Sequence, residues 1–198
     1  MVIQRLVIAT HNAGKLAEFE LLLADFVGEV ISQRELGIPA IAETESTFVG
    51  NALLKARYAA KRAQCAALAD DSGLEVDALE GAPGVYSARY AGDGASDAVN
   101  NARLLDALRA SPAPRTARYR TVLALVSGPE DPTPMIVQGV WEGEIVLEPR
   151  GQNGFGYDRL FWVPALGKTA AELSLQEKNE LSHRAQAMRS LQARLASE

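Results

Sequence analysis

Two uninterrupted apolar runs constrain the fold of this chain most strongly. Residues 6–9 read Leu-Val-Ile-Ala, and residues 66–69 form a second short run. Continuous apolar strands are typical of sheets that are covered on both faces. Asn12, Gly14 and Lys15 follow the first run, and apolar residues at helical spacing come next. The chain therefore opens as a strand, a glycine turn and a helix.

Helical and strand patterns alternate along the rest of the chain. A helix is predicted from Phe48 to about Gln64, and Ser96 is predicted to cap another. Predicted strands cover residues 74–79, 119–126, 135–140 and 144–147, with a turn at Glu142-Gly143, and the chain ends in a helix. This order predicts one α/β domain over residues 1–198, with a mixed central β-sheet flanked by helices and opened into two lobes.

Composition excludes several classes of protein. The 198 residues carry 20 Lys and Arg against 25 Asp and Glu, a net charge of −5. That balance disfavours coating of nucleic acid or docking on anionic lipid, so neither partner is expected. A single cysteine, Cys65, rules out an intramolecular disulfide. No run approaches the ~20 apolar residues of a membrane span and no export signal is recognised, so a cytoplasmic protein is expected.

The first candidate site is the strand-to-helix turn at residues 10–15. Its members are Thr10, His11, Asn12, Ala13, Gly14 and Lys15. A helix N-terminus offers unpaired N–H groups to an anion, Gly14 allows close approach of the backbone, and Lys15 adds a charge. The spacing is neither that of a P-loop nor that of a dinucleotide fingerprint. The alternative is a simple turn in which Asn12 caps the helix and Lys15 lies in solvent.

The second candidate site is Asp70-Asp71-Ser72-Gly73, which follows the second apolar run. Two adjacent carboxylates there favour a cation or a water-filled cleft, and Mg²⁺ completed by water and phosphate oxygens fits hard oxygen donors. If the two apolar strands are parallel, Asn12, Lys15 and Asp71 can face one crevice. A turn with Asp70 as a cap is the alternative. Glu43 is a candidate site residue only if the metal needs a second carboxylate ligand. The Lys55 side chain either extends along its neighbours to solvent or points its ammonium group into a cleft.

The third candidate region combines an aromatic loop with the C-terminal cations. Glycines flank Phe155 in the segment Gly154-Phe155-Gly156-Tyr157-Asp158, which suits stacking on a flat heterocycle, although a hairpin with Phe155 in the core is also compatible. Lys178 and Ser182-His183-Arg184 follow. Cations in the first turn of a helix are disfavoured by its dipole, so Arg184 is expected to have a carbonyl or carboxylate partner.

Taken together, these motifs resemble the inosine/xanthosine triphosphate pyrophosphatases over nearly the whole chain. The matching segments, in order, are Thr10-x-Asn12-x-x-Lys15, Asn51-Ala52, Lys55-Ala56, residues 70–73, residues 81–90, residues 154–158, Lys168-Thr169 and residues 182–184. Three positions differ from residues that family members often carry: Ala42 and Gly50 stand where Glu is common, and Arg159 stands where Pro is common.

The resemblance implies hydrolysis of a nucleoside triphosphate between its α and β phosphates, in a nucleotide cleft between the two lobes. It implies that Asp71 activates water and holds Mg²⁺ with Glu43. The substrate-binding residues that it implies are Asn12, Lys15, Lys55 and Ser72 for the phosphates, Phe155 for stacking, and Asp158, Lys178, His183 and Arg184 for the base edge. Gly156 and Tyr157 belong to the same loop, and a homodimer is implied.

The substrates that the resemblance implies are non-standard purine nucleoside triphosphates: ITP, dITP and XTP. Buried donors aimed at a 6-oxo group would be left unpaired by adenine, which allows strong discrimination. Two alternatives remain at this point. One is a non-catalytic purine-nucleotide sensor, which would not need the Asp70-Asp71 pair. The other is a pyrophosphatase for damaged pyrimidines, against which Phe155 and His183-Arg184 argue.

Overall fold

The computed structural model describes residues 3–23 and 26–197, so five residues of the predicted 1–198 domain lie outside the described part. Two compact units are found in the chain. The first comprises Met1–Asp71, Thr121–Gly139 and Arg184–Glu198, and the second comprises Ser72–Arg120 and Val140–His183.

The described residues form a mixed seven-stranded sheet with helices, as predicted. Its strands are β1 (Ile3–Ile8), β2 (Val27–Ser32), β3 (Ala66–Val76), β4 (Thr116–Val126), β5 (Met135–Ile145), β6 (Phe161–Val163) and β7 (Lys168–Thr169). Their order in the sheet is β2-β1-β3-β4-β5-β6-β7. β1 is parallel to β2 and β3, whereas β6 is antiparallel to β5 and β7.

The described α-helices lie close to their predicted positions, except for one at Leu175–Leu181, which was not predicted. They are α1 (Ala13–Leu23), α2 (Phe48–Ala63), α3 (Asp97–Ala107), α4 (Leu175–Leu181) and α5 (His183–Ser197). Thr47 caps α2 through its hydroxyl, which accepts a hydrogen bond from the Gly50 amide at 3.1 Å. Ser96 caps α3 in the same way through the Val99 amide, as predicted. No helix in the described ranges has both the length and the apolarity needed to cross a bilayer.

In the first unit, alternate residues of β1 and β3 build two cores. Leu6, Ile8 and Leu68 pack with Phe19 of α1 and Met188 of α5. The other set comprises Val7, Ala9, Ala67 and Ala69, which pack with the buried alanines of α2. Since side chains alternate between the faces of a strand, each face of these strands has its own covering helices.

In the second unit, aromatic rings pack within an otherwise aliphatic core, and a tight turn packs against β3. Tyr119, Trp141 and Phe161 are buried in one cluster. The Ser87 hydroxyl donates to the Gly84 carbonyl at 2.6 Å and accepts from the Leu74 amide at 2.8 Å. A Cβ at Gly73 would collide with the Gly84 carbonyl. Gly73 therefore serves a close backbone approach.

The prediction that a strand ends at Asp70 is wrong. β3 runs without interruption through Asp70-Asp71-Ser72-Gly73 to Val76, and residues 77–79, predicted as strand, form a 3₁₀ turn. The strand can continue because the partly buried cations Lys15 and Lys55 neutralise the two carboxylates, so neither needs solvent. Parallel pairing of β1 with β3, on which the predicted crevice depended, is confirmed by the register Ile8↔Leu68.

The predicted turn at Glu142-Gly143 is also wrong. β5 is one strand from Met135 to Ile145. A Cβ at Gly143 would lie 2.6 Å from both the Phe161 ring and the Trp162 carbonyl oxygen. The glycine is thus needed for close contact with β6 rather than for a turn.

Candidate active site

The turn that joins β1 to α1 caps the helix. The Thr10 hydroxyl accepts a hydrogen bond from the Asn12 amide at 3.1 Å, and the Asn12 side-chain oxygen accepts from the Lys15 amide at 3.0 Å. His11 Nε2 lies 3.0 Å from the Ile38 carbonyl oxygen. Ala13 and Gly14 begin α1, so their amides lie at its N-terminus, where anions are favoured.

Lys15 does not lie in solvent but on a buried carboxylate. Its Nζ is 3.0 Å from Asp70 Oδ2, and Arg184 Nη2 is 3.0 Å from the same oxygen. Arg184 Nη1 pairs with Glu18 of α1, which provides the carboxylate partner that the sequence predicted for this arginine. Burial alone would raise the pKa of Asp70, but the charges of Lys15, Arg184 and Lys55 outweigh it and hold that pKa well below its usual range.

Lys55 points into the structure rather than snorkelling. Its Nζ lies 2.8 Å from Asp71 Oδ1 and 2.6 Å from Glu43 Oε1. Asn51, one turn earlier on α2, donates from Nδ2 to Asp71 Oδ2 at 3.2 Å. Burial raises the pKa of Asp71 to about 6; Lys55 acts against this shift and the neighbouring Glu43 adds to it. A carboxyl group with such a pKa can exchange protons near neutral pH.

These residues form a cation–carboxylate cluster, defined here as Lys15, Glu18, Glu43, Lys55, Asp70, Asp71 and Arg184. Three cations therefore face four carboxyl groups. Among the described residues, no group of three or more His, Cys, Asp or Glu side chains is arranged to hold a metal. Glu43 and Asp71 nevertheless share one ammonium group, and a divalent cation would relieve their mutual repulsion. This donor set fits Mg²⁺, which uses few protein carboxylates.

The aromatic loop in the second unit is organised around Asp158. Asp158 Oδ2 accepts hydrogen bonds from the Phe155 amide at 2.9 Å and from Lys178 Nζ at 2.7 Å. The Lys178 ammonium also lies 4.7 Å from the centre of the Phe155 ring, which is only partly buried. Gly154 has a φ of +76°, and a Cβ there would collide with the Asp158 carboxylate. Phe155 is therefore held beside a fixed ion pair and lies outside the hydrophobic core.

Other contacts anchor this loop and its neighbour His183. The Gly156 amide donates to Asp97 at 2.6 Å, and the Tyr157 hydroxyl donates to the Ser87 carbonyl at 2.7 Å. His183 is buried and stacks on Tyr119, with ring centres 4.8 Å apart and planes 13° apart. We call Phe155, Asp158, Lys178 and His183 the aromatic cluster, and Tyr119 packs against its histidine.

Asn179 adds a polar group that protein contacts do not satisfy. Its side chain is buried, and within residues 3–23 and 26–197 neither amide atom has a hydrogen-bond partner. Asn179 follows Lys178 on α4 and precedes His183 by four residues. A buried amide of this kind is usually satisfied by water or a ligand.

The structure groups most of the predicted residues, but in two sets. Glu43, Lys55, Asp71 and Lys15 meet in the first unit, and Phe155, Asp158, Lys178 and His183 meet in the second. Ser72 lies half-buried at the start of the second unit. Arg184 lies in the first unit on Glu18 and Asp70, so its role at the base edge stays a prediction.

Four residues at these clusters were not predicted as site residues. Asn51 could have been found, because it lies one helical turn from Lys55. Glu18 lies three residues after Lys15 on α1, a similar signal. Asn179 had no signal beyond its position next to Lys178. Tyr119 had none, because its contacts join residues far apart in sequence.

Comparison with known proteins agrees with this architecture. The profile described as the Ham1 family matches residues 6–194. A dITP/XTP pyrophosphatase of Xanthomonas oryzae pv. oryzae is 53% identical over 97% of this chain and 97% of its own. One from Yersinia pseudotuberculosis is 54% identical over 94% and 95%.

Solved structures agree as well. A HAM1 protein from Coxiella burnetii superposes with a TM-score of 0.90 at 50% identity, covering 99% of this chain and 100% of that one. The Ham1 protein of Staphylococcus aureus gives 0.85 at 43% identity, over 98% and 99%. The fold and clusters define an α/β protein with one charged and one aromatic site. This chain belongs to the Ham1 family.

Proposed function

We propose that this protein hydrolyses non-standard purine nucleoside triphosphates, namely ITP, dITP and XTP, to the monophosphate and pyrophosphate. Water attacks the α-phosphorus, the bond from that phosphorus to the bridging oxygen of the β-phosphate breaks, and pyrophosphate leaves. The names of relatives at about half identity support this activity. The observation that carries it is the Asp71 carboxylate, which Lys55 contacts at 2.8 Å and Asn51 at 3.2 Å, and which shares the Lys55 ammonium with Glu43.

In this proposal the cation–carboxylate cluster receives the phosphates. Lys15 and Lys55 counter their charge, and the N-terminus of α1 at residues 12–14 offers backbone amides. Lys55 and Asn51 hold both oxygens of Asp71, so this carboxylate is oriented when it accepts the proton of the attacking water. Ser72, next to Asp71 on β3, belongs to the same phosphate-binding set.

Glu43 and Asp71 would hold the metal, which we propose to be Mg²⁺. The ion supplies positive charge that neutralises the triphosphate. Without it, four carboxyl groups outnumber three cations in the cluster, which is a poor environment for a polyanion. Lys55 orders both carboxylates by contacting each of them.

The aromatic cluster would bind the purine. Phe155 offers an accessible ring face for stacking, typically worth ~1–3 kcal/mol per base. Asp158, Lys178 and His183 supply polar groups for the base edge, and Gly156 and Tyr157 shape the loop. The family resemblance adds Arg184 to this set. A 6-oxo group would satisfy donors that the amino group of adenine leaves unpaired.

We further propose that residues 1–198 act as one pyrophosphatase domain, as a homodimer in the cytoplasm, cleansing the nucleotide pool. The dimer follows from the family resemblance and is tested by light scattering on the purified protein. No observation favours the alternative of a non-catalytic sensor, because the reported relatives carry enzyme names.

The decisive experiment measures pyrophosphate release from ITP, dITP, XTP, ATP and GTP, with and without Mg²⁺. We expect metal-dependent turnover of the first three and slow turnover of ATP and GTP. Equal rates on ATP and ITP would exclude a role in cleansing the nucleotide pool.

A second experiment tests the assigned base. Asp71→Asn keeps the size of the side chain but cannot accept the proton, so turnover should fall by about 10³-fold or more while ITP still binds. Binding is measured by calorimetry with Mg²⁺. Near-normal turnover of this variant would show that another group activates the water.

A further inference from the structure

Tyr119, a buried residue of the second unit, connects two members of the aromatic cluster, His183 and Asp158. It lies on β4 and is only 8% exposed. Its ring stacks on His183, with centres 4.8 Å apart and planes 13° apart, and its other ring contact is Phe161 at 4.5 Å. Phe161 in turn contacts Trp141 at 5.2 Å. The imidazole of His183 is therefore backed by three successive aromatic rings.

The hydroxyl of Tyr119 serves the other member, Asp158. Burial, the negative charge of Asp158 and a hydrogen bond to that carboxylate raise the pKa of Tyr119 well above its usual value. The phenol therefore stays protonated and donates to Asp158 throughout the neutral range. With the Phe155 amide and Lys178 Nζ, this gives Asp158 donors from β4, the aromatic loop and α4.

The Tyr119 side chain thus restricts both the ring plane of His183 and the carboxylate of Asp158. A stacked pair with nearly parallel planes restricts rotation of the imidazole about χ2, and the hydroxyl restricts the carboxylate. Among the described ring pairs, Tyr119 and His183 are the only stacked one, since the other two are tilted by 44° and 52°. The arrangement suits polar groups that must meet a rigid, flat heterocycle at fixed angles.

We propose that Tyr119 is a positioning residue for base selection: it orients His183 through its ring and Asp158 through its hydroxyl without contacting the nucleotide. This inference rests on the proposed function, in which the purine binds at Phe155. Two variants separate the contribution of the hydroxyl from that of the ring. Tyr119→Phe removes only the hydroxyl, whereas Tyr119→Leu removes the ring as well.

Selectivity, measured as the ratio of kcat/KM for ITP to that for ATP, is the kinetic readout. We expect Tyr119→Phe to lower it by about threefold to tenfold, the usual effect of one hydrogen bond, mostly through KM for ITP. Tyr119→Leu should lower it by a further factor of about ten, with kcat for ITP changed by less than about threefold. The Phe variant thus rescues the ring contribution alone.

A matched control separates positioning from general destabilisation. Trp141→Phe disturbs the same aromatic series at the third ring from His183, so it should lower Tm but leave selectivity unchanged. Equal loss of selectivity in Trp141→Phe and Tyr119→Leu would overturn the proposal. Unchanged selectivity in Tyr119→Leu would do the same.

A second readout needs no nucleotide. The chain has only two histidines, so the imidazole proton signals can be assigned with His11→Gln. We expect the ring-current shift of His183 to persist in Tyr119→Phe and to vanish in Tyr119→Leu. If the shift follows this pattern while the wild-type protein hydrolyses ITP and ATP at equal rates, that result overturns the proposed function and leaves the positioning role of Tyr119 intact. If the wild-type protein selects ITP and the shift survives in Tyr119→Leu, only the positioning inference fails.

Discussion

At the scale of single residues, Asp70 and Asp71 show how neighbours on one strand acquire opposite properties. Successive side chains of β3 point to opposite faces, so Asp70 meets Lys15 and Arg184 while Asp71 meets Lys55. Two guanidinium or ammonium groups contact Asp70 and lower its pKa. Asp71 shares its single ammonium with Glu43, and its pKa rises to about 6. Asp70 is thus fixed as a charge, and Asp71 is free to exchange a proton.

This difference predicts the acid limb of the activity profile. A protonated Asp71 cannot accept a proton from water, so kcat/KM should fall by about tenfold per unit as pH drops below about 6. Raising the Mg²⁺ concentration should move the limb to lower pH, because a cation favours the ionised carboxylate. Profiles at two Mg²⁺ concentrations test this. If the acid limb stays at the same pH at both Mg²⁺ concentrations, Asp71 is not a ligand of the metal.

Asn179 gives a second prediction at this scale. In Asn179→Leu an amide without a protein partner is replaced by an apolar side chain of similar size, so the free energy of unfolding should rise by about 1 kcal/mol. If the amide serves the nucleotide, KM for ITP should rise at the same time. Thermal unfolding without ligand and steady-state kinetics measure the two effects. A lower Tm would mean that the amide already has a structural partner.

At the scale of elements, local patterns predicted most of the α-helices but not the continuity of two strands. α2 ends at Ala63, next to the predicted end, because alanine periodicity is a local property. The sequence prediction divided β3 and β5 into two segments each, although both strands are continuous. Asp70-Asp71 and Glu142-Gly143 caused the division, because locally they are typical of polar or turn segments. Their actual partners come from distant segments. The same limit applies to the site, where Lys15, Lys55 and Asp71 were predicted and Tyr119 was not.

The continuity of β5 predicts an asymmetry between two glycines. Gly143→Ala would force its Cβ against the Phe161 ring and the Trp162 carbonyl, and should lower the free energy of unfolding by about 1–3 kcal/mol. Gly128→Ala is the matched control, since its Cβ meets nothing within 4 Å and should be neutral or stabilise by about 0.4–1 kcal/mol. Urea unfolding measures both. Equal effects would argue that Gly143 lies in a turn after all.

At the scale of the whole molecule, net charge describes the surface rather than the site. The chain carries −5 overall, yet three of its cations are gathered in one largely buried cluster. Burial makes these charges expensive to leave unpaired, so the carboxylates beside them are part of the fold. Stability and the proposed binding of phosphates therefore depend on the same residues in the first unit.

That dependence gives the last prediction, on stability against pH. Because the pKa of Asp70 is lowered in the folded protein, its contribution is complete above the unfolded value of ~3.9 and is lost as pH falls through the lower folded value. Asp70→Asn should therefore lower the free energy of unfolding by about 3–5 kcal/mol at pH 7, since Lys15 and Arg184 lose a buried partner. The deficit should shrink below about pH 4, where Asp70 begins to take up a proton in the unfolded wild-type chain while it stays ionised in the folded protein. Asp106→Asn, which removes an exposed pair with Arg109, is the control and should change stability by less than about 0.5 kcal/mol. Urea unfolding across this pH range decides the matter, because a deficit that does not vary with pH would mean that Asp70 stabilises the fold through packing rather than charge.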